Sequence, residues 1–310
     1  MKKALITGSL GFVGGYLRAE LEKSGYDVIG LDVRQAEKTI QADLLDSEQM
    51  KQTIAQTQPD AVFHLAGQAN VAQSWKIPQK TVEINVIGAL NLLEAVRAYR
   101  ADTRVVLVGS SDQYGVLGEA GRLVKETTPT NPQTPYAVSK QAQEEMARVY
   151  TRAYGMNICM TRSFNHGGAG QKEGFMIPDF AAGIVRVERG QADCLRVGNL
   201  TARRDFTHVK DVVRAYRLIA EKGHAGEVYN VGSGVTYSAQ EILDKLCAMA
   251  RCPIRVEQDS AKIRPSDTPV ICCDHSKLTE HTGWEPENTL DVILQETIAY
   301  FRKVLEKVSK

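Results

Sequence analysis

The sequence predicts an α/β protein with a doubly wound parallel sheet and a smaller mixed lobe toward the C-terminus. Short apolar or β-branched runs alternate with segments of helical period through the first half of the chain, and glycines follow the first run. At 310 residues the chain is long enough for about two domains. The regular alternation fades after residue 165, and Pro253, Pro265, Pro269 and Pro286 divide the end of the chain into short elements.

The composition is that of a globular chain with balanced charge. Lys and Arg number 38 against 37 Asp and Glu, so the net charge of +1 gives no general field to attract nucleic acid or an anionic membrane. The apolar stretches are strand-sized and are soon broken by glycine or charge, so we expect no membrane span. The six cysteines form no C-x-x-C pair, which predicts no metal site, no disulfide framework and a cytoplasmic location.

The strands and helices follow from this alternation. The strand runs are KALIT 3–7, YDVIGLD 26–32, AVFHLA 61–66, RVVLVGS 104–110 and NICMTR 157–162, with EVYNVG 227–232 as a later strand. Apolar residues at helical spacing predict helices over Thr81–Arg100 and Tyr136–Tyr154, and another helix begins at about residue 178. The stretch GGAGQKEG 167–174 reads as a loop.

Gly8, Gly11 and Gly14 form a G-x-x-G-x-x-G pattern directly after the first strand, where a helix begins at Phe12. Glycines let the backbone approach a pyrophosphate, and the helix N-terminus supplies N–H donors and a partial positive charge. Because the pattern lies between a strand and a helix, it predicts a Rossmann dinucleotide site. The predicted cofactor contacts further include Val13, Leu44, Leu65 and Ala66.

Asp32 ends the second strand, 24 residues after Gly8, where a carboxylate accepts both hydroxyls of an adenosine ribose. That geometry repels a 2′-phosphate, so NAD(H) is favoured as the cofactor. Arg34 leaves NADP(H) as the alternative if it pairs with such a phosphate; otherwise it is a solvated surface arginine. Asp43 is predicted either at the adenine edge or as a helix cap.

Tyr136 and Lys140 stand in Y-A-V-S-K, and the i, i+4 spacing on a helix places an ammonium beside a phenol. A nearby cation lowers the pKa of a tyrosine from about 10, as a residue that exchanges a proton with substrate requires. Lys140 can also bind the nicotinamide ribose. Ser110 ends the fourth strand, where ligands of parallel sheets bind, so Ser110 and Tyr136 are predicted to share one substrate oxygen.

These residues resemble the extended short-chain dehydrogenases/reductases that act on nucleotide sugars. The resemblance covers essentially the whole chain through TGSLGFVGGYL, HLAGQANV, GSSDQYG, TPYAVSK, FNHGGAG, VGNLTARRDFTHVKD, YNVGSG and IRPSDTP. Within that superfamily the chain is most similar to the branch of GDP-mannose 4,6-dehydratases and GDP-4-keto-6-deoxy-D-mannose reductases. The resemblance implies a dinucleotide-binding Rossmann domain over 1–165 with about 203–234, and a nucleotide-sugar-binding lobe over 166–202 and 235–310.

The resemblance also assigns site residues. It makes Ser110, Tyr136 and Lys140 catalytic and Asn165 a contact of the substrate diphosphate. The remaining expected substrate contacts are Ser111, Asn199, Arg204, Arg264 and Asp267. Because a sugar diphosphate needs cations and the net charge is near zero, those cations must be local. Arg203 and Arg204 beside Asp205 can alternatively form a surface ion-pair cluster.

Asp112 aligns with the position where dehydratases carry a glutamate base for the C5 proton. Asp is one methylene shorter, and the chain continues with GGAGQ after FNH, where dehydratases have an acid and two arginines. The sequence therefore favours NAD(P)H-dependent reduction of a GDP-linked 4-keto sugar, such as GDP-4-keto-6-deoxy-D-mannose to GDP-D-rhamnose. The alternatives are a GDP-mannose 4,6-dehydratase with Asp112 as base, a nucleotide-sugar 4-epimerase, and a non-catalytic dinucleotide sensor, against which Tyr136 and Lys140 argue.

Relatives of this kind suggest a homodimer in which the helices at 81–100 and 136–154 pair with those of a second copy. The small residues of these helices would permit close approach of two copies or would equally pack on the sheet: Ala89, Ala95, Ala142 and Ala147. His64, His166 and His208 have structural interpretations as residues at strand, loop and helix boundaries. Trp75 and Trp284 are interpreted as packing residues rather than sugar-stacking platforms.

Overall fold

The protein, described here by a computed structural model, is organised around one large sheet. The structure describes residues 1–116, 123–259 and 270–307. Its strands, in chain order, are β1 Lys3–Thr7, β2 Asp27–Asp32, β3 Thr39–Gln41, β4 Ala61–His64, β5 Arg104–Ser110, β6 Leu123–Val124, β7 Ile158–Ser163, β8 Asn165–Gly167, β9 Leu195–Val197, β10 Arg203–His208, β11 Val228–Val231, β12 Thr236–Ser238, β13 Val256–Gln258 and β14 Val270–Cys273.

The helices connect and cover these strands. They are α1 Phe12–Lys23, α2 Ser47–Thr57, α3 Val71–Lys76, α4 Pro78–Val82, α5 Gly88–Tyr99, α6 Pro135–Tyr154, α7 Met176–Glu188, α8 Val209–Lys222, α9 Ala239–Ala248, α10 Ser276–Thr282 and α11 Leu290–Lys307. A π-helical turn, Glu83–Ile87, joins α4 to α5, and a 3₁₀ turn, Ser111–Tyr114, follows β5.

The large sheet has seven strands in the order β11-β7-β5-β4-β1-β2-β3, and every neighbouring pair is parallel. The chain builds outward in one direction from β1 through β2 and β3, and in the other from β4 through β5, β7 and β11. This topology confirms the predicted doubly wound sheet and puts its switch point between β1 and β4, where such sheets bind ligands. The sequence did not reveal β3, because its three residues are too few for a period.

Strand alternation divides the core into two layers. Ala4 and Ile6 of β1 pack on one face with α1 and α8, whereas Leu5 packs on the other face with α2, α5 and α6. Because both faces are covered by helices, the strands are buried on both sides and read as nearly continuous apolar runs.

A second, smaller body of structure lies beyond the carboxyl ends of the strands. A sheet of order β12-β10-β14-β6, with β8 beside β10, and a pair β13-β9 accompany α7, α9 and α11, whose apolar faces share a third core. We call α7, β9, β13, α9 and α11 the C-terminal lobe. Within the predicted return segment of about 203–234, β10 pairs in the smaller sheet, whereas α8 and β11 pack with the large sheet. The exact division into two domains stays a prediction.

The structure corrects one of the predicted helices and shows which face of another is buried. The segment 81–100 is not one α-helix, because the π-helical turn interrupts it and buries Asn85, whose Nδ2 donates to Ser139 Oγ at 2.8 Å. In α6 the apolar residues Val138 and Val149 are 50% and 42% exposed. The buried face of α6 instead carries Lys140 and Glu144, because these polar groups find partners in the protein interior.

Candidate active site

A cleft of about 1730 Å³ opens at the carboxyl ends of the large sheet and extends to the C-terminal lobe. Residues that follow β1, β2, β4 and β5 line one side of it, and residues of α7, β9 and β10 line the other. Its position at the switch point of an open parallel sheet is where a ligand is expected. All of the predicted site residues that fall within the described part of the chain line this cleft.

The start of α1 is shaped to receive a diphosphate. Gly8 has a φ of +69°, and a Cβ there would lie 2.9 Å from the Ala66 Cα. A Cβ on Gly14 would lie 2.6 Å from the Gly8 carbonyl oxygen, so neither position admits a side chain. No described side chain caps α1 and its first turn holds no acidic residue, so its N-terminal amides remain available to an anion. Gly11, Phe12 and Val13 line the cleft at this point.

Asp32 and Arg34 form the adenosine end of the cleft. Asp32 is buried, and its Oδ2 accepts the Leu10 N–H at 3.1 Å while its Oδ1 accepts Arg34 Nε at 3.0 Å. Burial alone would raise the pKa of the Asp32 carboxyl. The hydrogen bonds, led by that from Arg34, outweigh burial and lower this pKa below its ordinary value. Arg34 lies at the surface, with a side chain that is 54% exposed, and forms an ion pair with Asp32.

Asp43 lines the cleft but does not cap a helix. Its Oδ1 accepts the Leu45 N–H at 3.0 Å, whereas Asp46 caps α2 by accepting the N–H groups of Glu48 and Gln49. The cap alternative predicted for Asp43 is therefore wrong, and the adenine edge remains its predicted role. Three further predicted cofactor contacts also line the cleft: Leu44, Leu65 and Ala66.

Ser110 stands at the junction of β5 and the 3₁₀ turn. Its Oγ accepts the Asp112 N–H at 3.2 Å, and its own N–H donates to Gln113 Oε1 at 3.0 Å. Ser110 and Gln113 therefore form a capping box at the start of the turn. The turn presents Ser110, Ser111 and Asp112 to the cleft.

Tyr136 enters the same part of the cleft from the first turn of α6. Pro135 begins that helix, and Thr134 Oγ1 caps it by accepting the Ala137 N–H at 3.0 Å. The Ser110 hydroxyl lies near enough to the Tyr136 phenol to act on its ionisation. Burial raises the pKa of Tyr136 above its ordinary value, the Asp112 carboxylate raises it further, and the Ser110 hydroxyl lowers it.

Lys140 lies one turn along α6 and is buried, but its ammonium does not bring down the pKa of Tyr136 as the sequence predicted. Lys140 Nζ donates to the Val108 carbonyl at 2.7 Å and to Gln143 Oε1 at 3.0 Å. Burial lowers the pKa of Lys140 itself to about 8. The ammonium is therefore anchored to β5 beside Ser110, with its third N–H donor unused by these two bonds.

The predicted substrate contacts approach from the C-terminal side. Asn165, Asn199 and Arg204 line the cleft, and Arg204 Nη1 donates to the Arg203 carbonyl at 2.9 Å. Arg203 pairs with Glu241 at 2.9 Å, so the surface ion-pair interpretation applies to Arg203. Two predicted contacts, Arg264 and Asp267, lie outside the described residues.

The sequence reasoning missed two residues. Trp284 is fully buried as predicted, but Trp75 is 61% exposed and lines the cleft, so the packing interpretation of Trp75 is wrong. The polar residues around it, in the run QSWK, were the available signal. Gln113 is fully buried and joins Ser110 to α6, which its place in a polar run did not indicate.

Two of the histidines, His64 and His208, have the structural roles predicted for them, whereas His166 lines the cleft. His64 is buried against Thr7, whose Oγ1 lies 2.8 Å from His64 Nδ1, and burial followed by the charge of Lys140 lowers the pKa of His64 to about 3. His208 caps α8 by accepting the Lys210 N–H at 3.0 Å. Among the described residues, no group of three or more His, Cys, Asp or Glu side chains is arranged to hold a metal ion. No helix in the described ranges is long and apolar enough to cross a membrane.

This geometry agrees with the comparison to known proteins. Residues 5–297 match the family described as GDP-mannose 4,6 dehydratase. The chain belongs to that family. Membership of the GDP-mannose 4,6-dehydratase family confirms the resemblance drawn from the motifs, and with it the expectation of an NAD(P)-dependent nucleotide-sugar enzyme.

Relatives within and around this family carry more than one activity. The chain is 35% identical over 299 residues to GDP-6-deoxy-D-mannose reductase of Pseudomonas aeruginosa, covering 96% of each chain. It is 29% identical over 357 aligned residues to GDP-mannose 4,6-dehydratase of Vibrio cholerae, covering 99% of this chain and 95% of the relative. The solved structure of RMD from Pseudomonas aeruginosa complexed with NADPH superposes with a TM-score of 0.88 at 33% identity, covering 98% of this chain and all of the other.

Proposed function

We propose that this protein reduces the C4 ketone of a GDP-linked 6-deoxyhexose, with GDP-4-keto-6-deoxy-D-mannose as substrate and GDP-D-rhamnose as product. The observation that carries the proposal is the nearly gap-free alignment with GDP-6-deoxy-D-mannose reductase, which spans 299 residues and 96% of each chain. The alignment with GDP-mannose 4,6-dehydratase runs over 357 positions, more than the 310 residues of this chain, so that relative carries insertions that this chain lacks.

The chemistry follows from the residues on the cleft floor. A reduced nicotinamide bound in the cleft would supply hydride to the C4 carbon. Tyr136 gives its proton to the C4 oxygen as that oxygen gains negative charge, and the Ser110 hydroxyl, which lies near the phenol, orients the same oxygen. The Lys140 ammonium lies on the same helix face and is held by Val108 and Gln143, from where it would bind the nicotinamide ribose of the cofactor.

The cofactor and substrate would occupy opposite ends of the cleft. Gly8, Gly14 and the N-terminus of α1 fit the diphosphate of NADH or NADPH, and Asp32 with Arg34 meets the adenosine ribose. Arg204, Asn165 and Asn199 line the other end, where they would bind the GDP moiety of the sugar nucleotide. A cleft of about 1730 Å³ has room for both ligands together.

The test uses two reactions of the purified protein. We expect oxidation of NADH or NADPH with GDP-4-keto-6-deoxy-D-mannose, and formation of a GDP-6-deoxyhexose in the mass spectrum. Tyr136→Phe should abolish this reaction while the cofactor still binds. Loss of water from GDP-mannose with no net cofactor change would instead make the protein a dehydratase, and no reaction with either sugar would refute a GDP-hexose substrate.

A 4,6-dehydratase is the second candidate, and one observation favours it. Asp112 lines the cleft, and its charge acts on the Tyr136 phenol, so a carboxylate does lie beside the proton-transfer group. In that reaction Asp112 would remove the C5 proton of an oxidised GDP-mannose. The shorter reach of an aspartate makes this base less suited than the glutamate of the dehydratase pattern.

We further propose that the protein is a homodimer through its helices. Four apolar side chains of α4, the π-helical turn that follows it and α6 are 42–50% exposed: Val82, Ile87, Val138 and Val149. A second copy, related by a two-fold axis, would cover this face with the same residues. Ala89, Ala95 and Ala147 are buried in the sheet-side core, so these three of the small residues pack on the sheet and are not available to a partner.

A further inference from the structure

Two elements carry the proposed catalytic groups, and a set of buried polar residues joins them. The 3₁₀ turn after β5 carries Ser110 and Gln113, and α6 carries Tyr136, Lys140 and Glu144 at successive intervals of four residues. That spacing aligns the three α6 side chains on the buried face of the helix. The turn and the helix therefore meet along a line that begins at Ser110 and Tyr136 and ends at Gln113 and Glu144.

Gln113 connects the two elements through both ends of its side-chain amide. Its Oε1 accepts the Ser110 N–H at 3.0 Å, and its Nε2 donates to Glu144 Oε2 at 2.7 Å. A second bond from Nε2 reaches Gln141 Oε1 at 3.2 Å on the same helix. Because Gln113 is fully buried, water does not compete for these bonds.

Glu144 is itself fixed to the large sheet. Arg162 donates to its carboxylate through Nη2 at 2.7 Å and Nε at 2.9 Å, and the Glu144 and Arg162 side chains are only 3% and 4% exposed. Arg162 lies on β7 directly opposite Gly109, the residue before Ser110. A buried ion pair of this kind adds little net stability compared with apolar replacements, and its best use is to specify one geometry.

We propose, on the basis of the function proposed above, that Gln113 is a positioning residue that sets the separation of Ser110 and Tyr136 by linking the Ser110 backbone to Glu144. Tyr136 can transfer a proton to the C4 oxygen only if Ser110 holds that oxygen within hydrogen-bond reach. The bond between Gln113 and Glu144 fixes the turn against α6 at one end, so that the hydroxyl and phenol meet at the other.

The test is a double-mutant cycle between Gln113→Leu and Ser110→Ala in the full-length enzyme with NADPH and the keto sugar. We expect Gln113→Leu to lower kcat by about 100-fold with little change in KM or cofactor affinity, since misplacement by about 1 Å has that effect. Gln113→Leu combined with Ser110→Ala should be no slower than Ser110→Ala alone. Gln141→Ala is the matched control, because it removes the other bond of the Gln113 amide, together with an exposed bond from Gln141 to Glu145, and its kcat should stay near that of the wild type.

Multiplicative effects of the two substitutions, or a loss of activity explained by a smaller folded fraction, would overturn the proposal. A second measurement does not depend on turnover: crystal structures of the wild type and Gln113→Leu with bound cofactor. The distance between Ser110 Oγ and Tyr136 Oη should increase by about 1 Å in the variant. An unchanged distance would refute the proposed positioning role of Gln113. If the wild type reduces no GDP-keto sugar, the proposed function fails while these two structures still decide the role of Gln113.

Discussion

Arg34 lies forked on Asp32, with its Nε 3.0 Å from Oδ1 and its Nη2 3.4 Å from Oδ2. Oδ2 also accepts the Leu10 N–H, so both oxygens of the carboxylate are engaged. The hydroxyls of an adenosine ribose would compete with Arg34 for these oxygens, whereas a 2′-phosphate would pair with the exposed guanidinium. The choice between NADH and NADPH therefore depends on whether Arg34 stays paired with Asp32 or pairs instead with the 2′-phosphate of the cofactor.

Removing the guanidinium should shift the enzyme toward NADH. We expect Arg34→Ala to lower kcat/KM for NADPH relative to that for NADH by about 10-fold or more, because one charge-assisted bond to phosphate is lost. Lys38→Gln is the control, since it removes one exposed positive charge nearby that does not pair with Asp32. Steady-state kinetics with both cofactors measures the ratio. A ratio that does not change in Arg34→Ala would exclude Arg34 from cofactor selection.

The parts of this fold that the sequence predicted depend on local pattern. Apart from β3, each strand of the large sheet has enough apolar residues to be predicted, and Gly8, Gly11 and Gly14 follow β1 at a recognisable spacing. Tyr136 and Lys140 could be placed on one helix face because helical spacing determines it.

The remainder depends on contacts between distant residues. Gln113 and Glu144 are 31 positions apart, and no pattern in either segment predicts that their side chains meet. The direction of the Lys140 ammonium was missed for the same reason, since it is held by Val108, 32 positions earlier. The sequence could not show what covers the apolar face of α6, because an apolar stripe has the same period whether the sheet or a second copy covers it.

Asp112 distinguishes reduction from dehydration. If the protein is a reductase, Asp112→Asn should retain activity on the keto sugar within a few-fold, because the amide keeps the shape of the carboxylate and Tyr136 remains. If Asp112 is instead a C5 base, the same variant should lose on the order of 100-fold or more of its dehydration rate. Asp112→Glu is the informative partner, since a longer acid would raise dehydration of GDP-mannose only if that reaction occurs at this site. Product analysis by mass spectrometry separates the two cases.

The ionisation of Lys140 should appear in the pH dependence of the reaction. Burial lowers its pKa to about 8, so the ammonium is lost as the pH rises through that value. We expect kcat/KM for reduction to fall above about pH 8, and Lys140→Arg to move this limb to higher pH, because a guanidinium stays protonated. A limb unchanged in Lys140→Arg would assign the ionisation to another group.

The ionisation of Lys140 should also make stability depend on pH. The free energy of unfolding should rise over the pH range in which kcat/KM falls. An unfolded chain holds the lysine proton up to about pH 10.4, whereas the folded protein releases it near pH 8. Between these values the unfolded state binds more protons, so the free energy of unfolding rises with pH. Lys140→Met removes this rise, which urea unfolding at pH 7.5 and at pH 10 would measure. If the free energy of unfolding rises equally with pH in the wild type and in Lys140→Met, burial does not lower the pKa of Lys140.

The apolar face of α6 should hold two copies of the chain together. Val138 and Val149 are separated by three helical turns, so a glutamate at either position would place a charge in the proposed interface with no partner from the same chain. We expect the wild type to elute with twice the mass of the chain in size-exclusion chromatography with light scattering, and Val138→Glu or Val149→Glu to shift it to the monomer mass.

Val235→Glu is the matched control, because Val235 is as exposed as Val138, at 50%, but lies on another surface. A wild-type monomer, or a dimer that survives both α6 substitutions, would rule out this face. Because the face lies on the outside of the helix that carries Tyr136 and Lys140, a monomeric variant that still binds cofactor but turns over slowly would show that pairing also steadies the proposed catalytic helix.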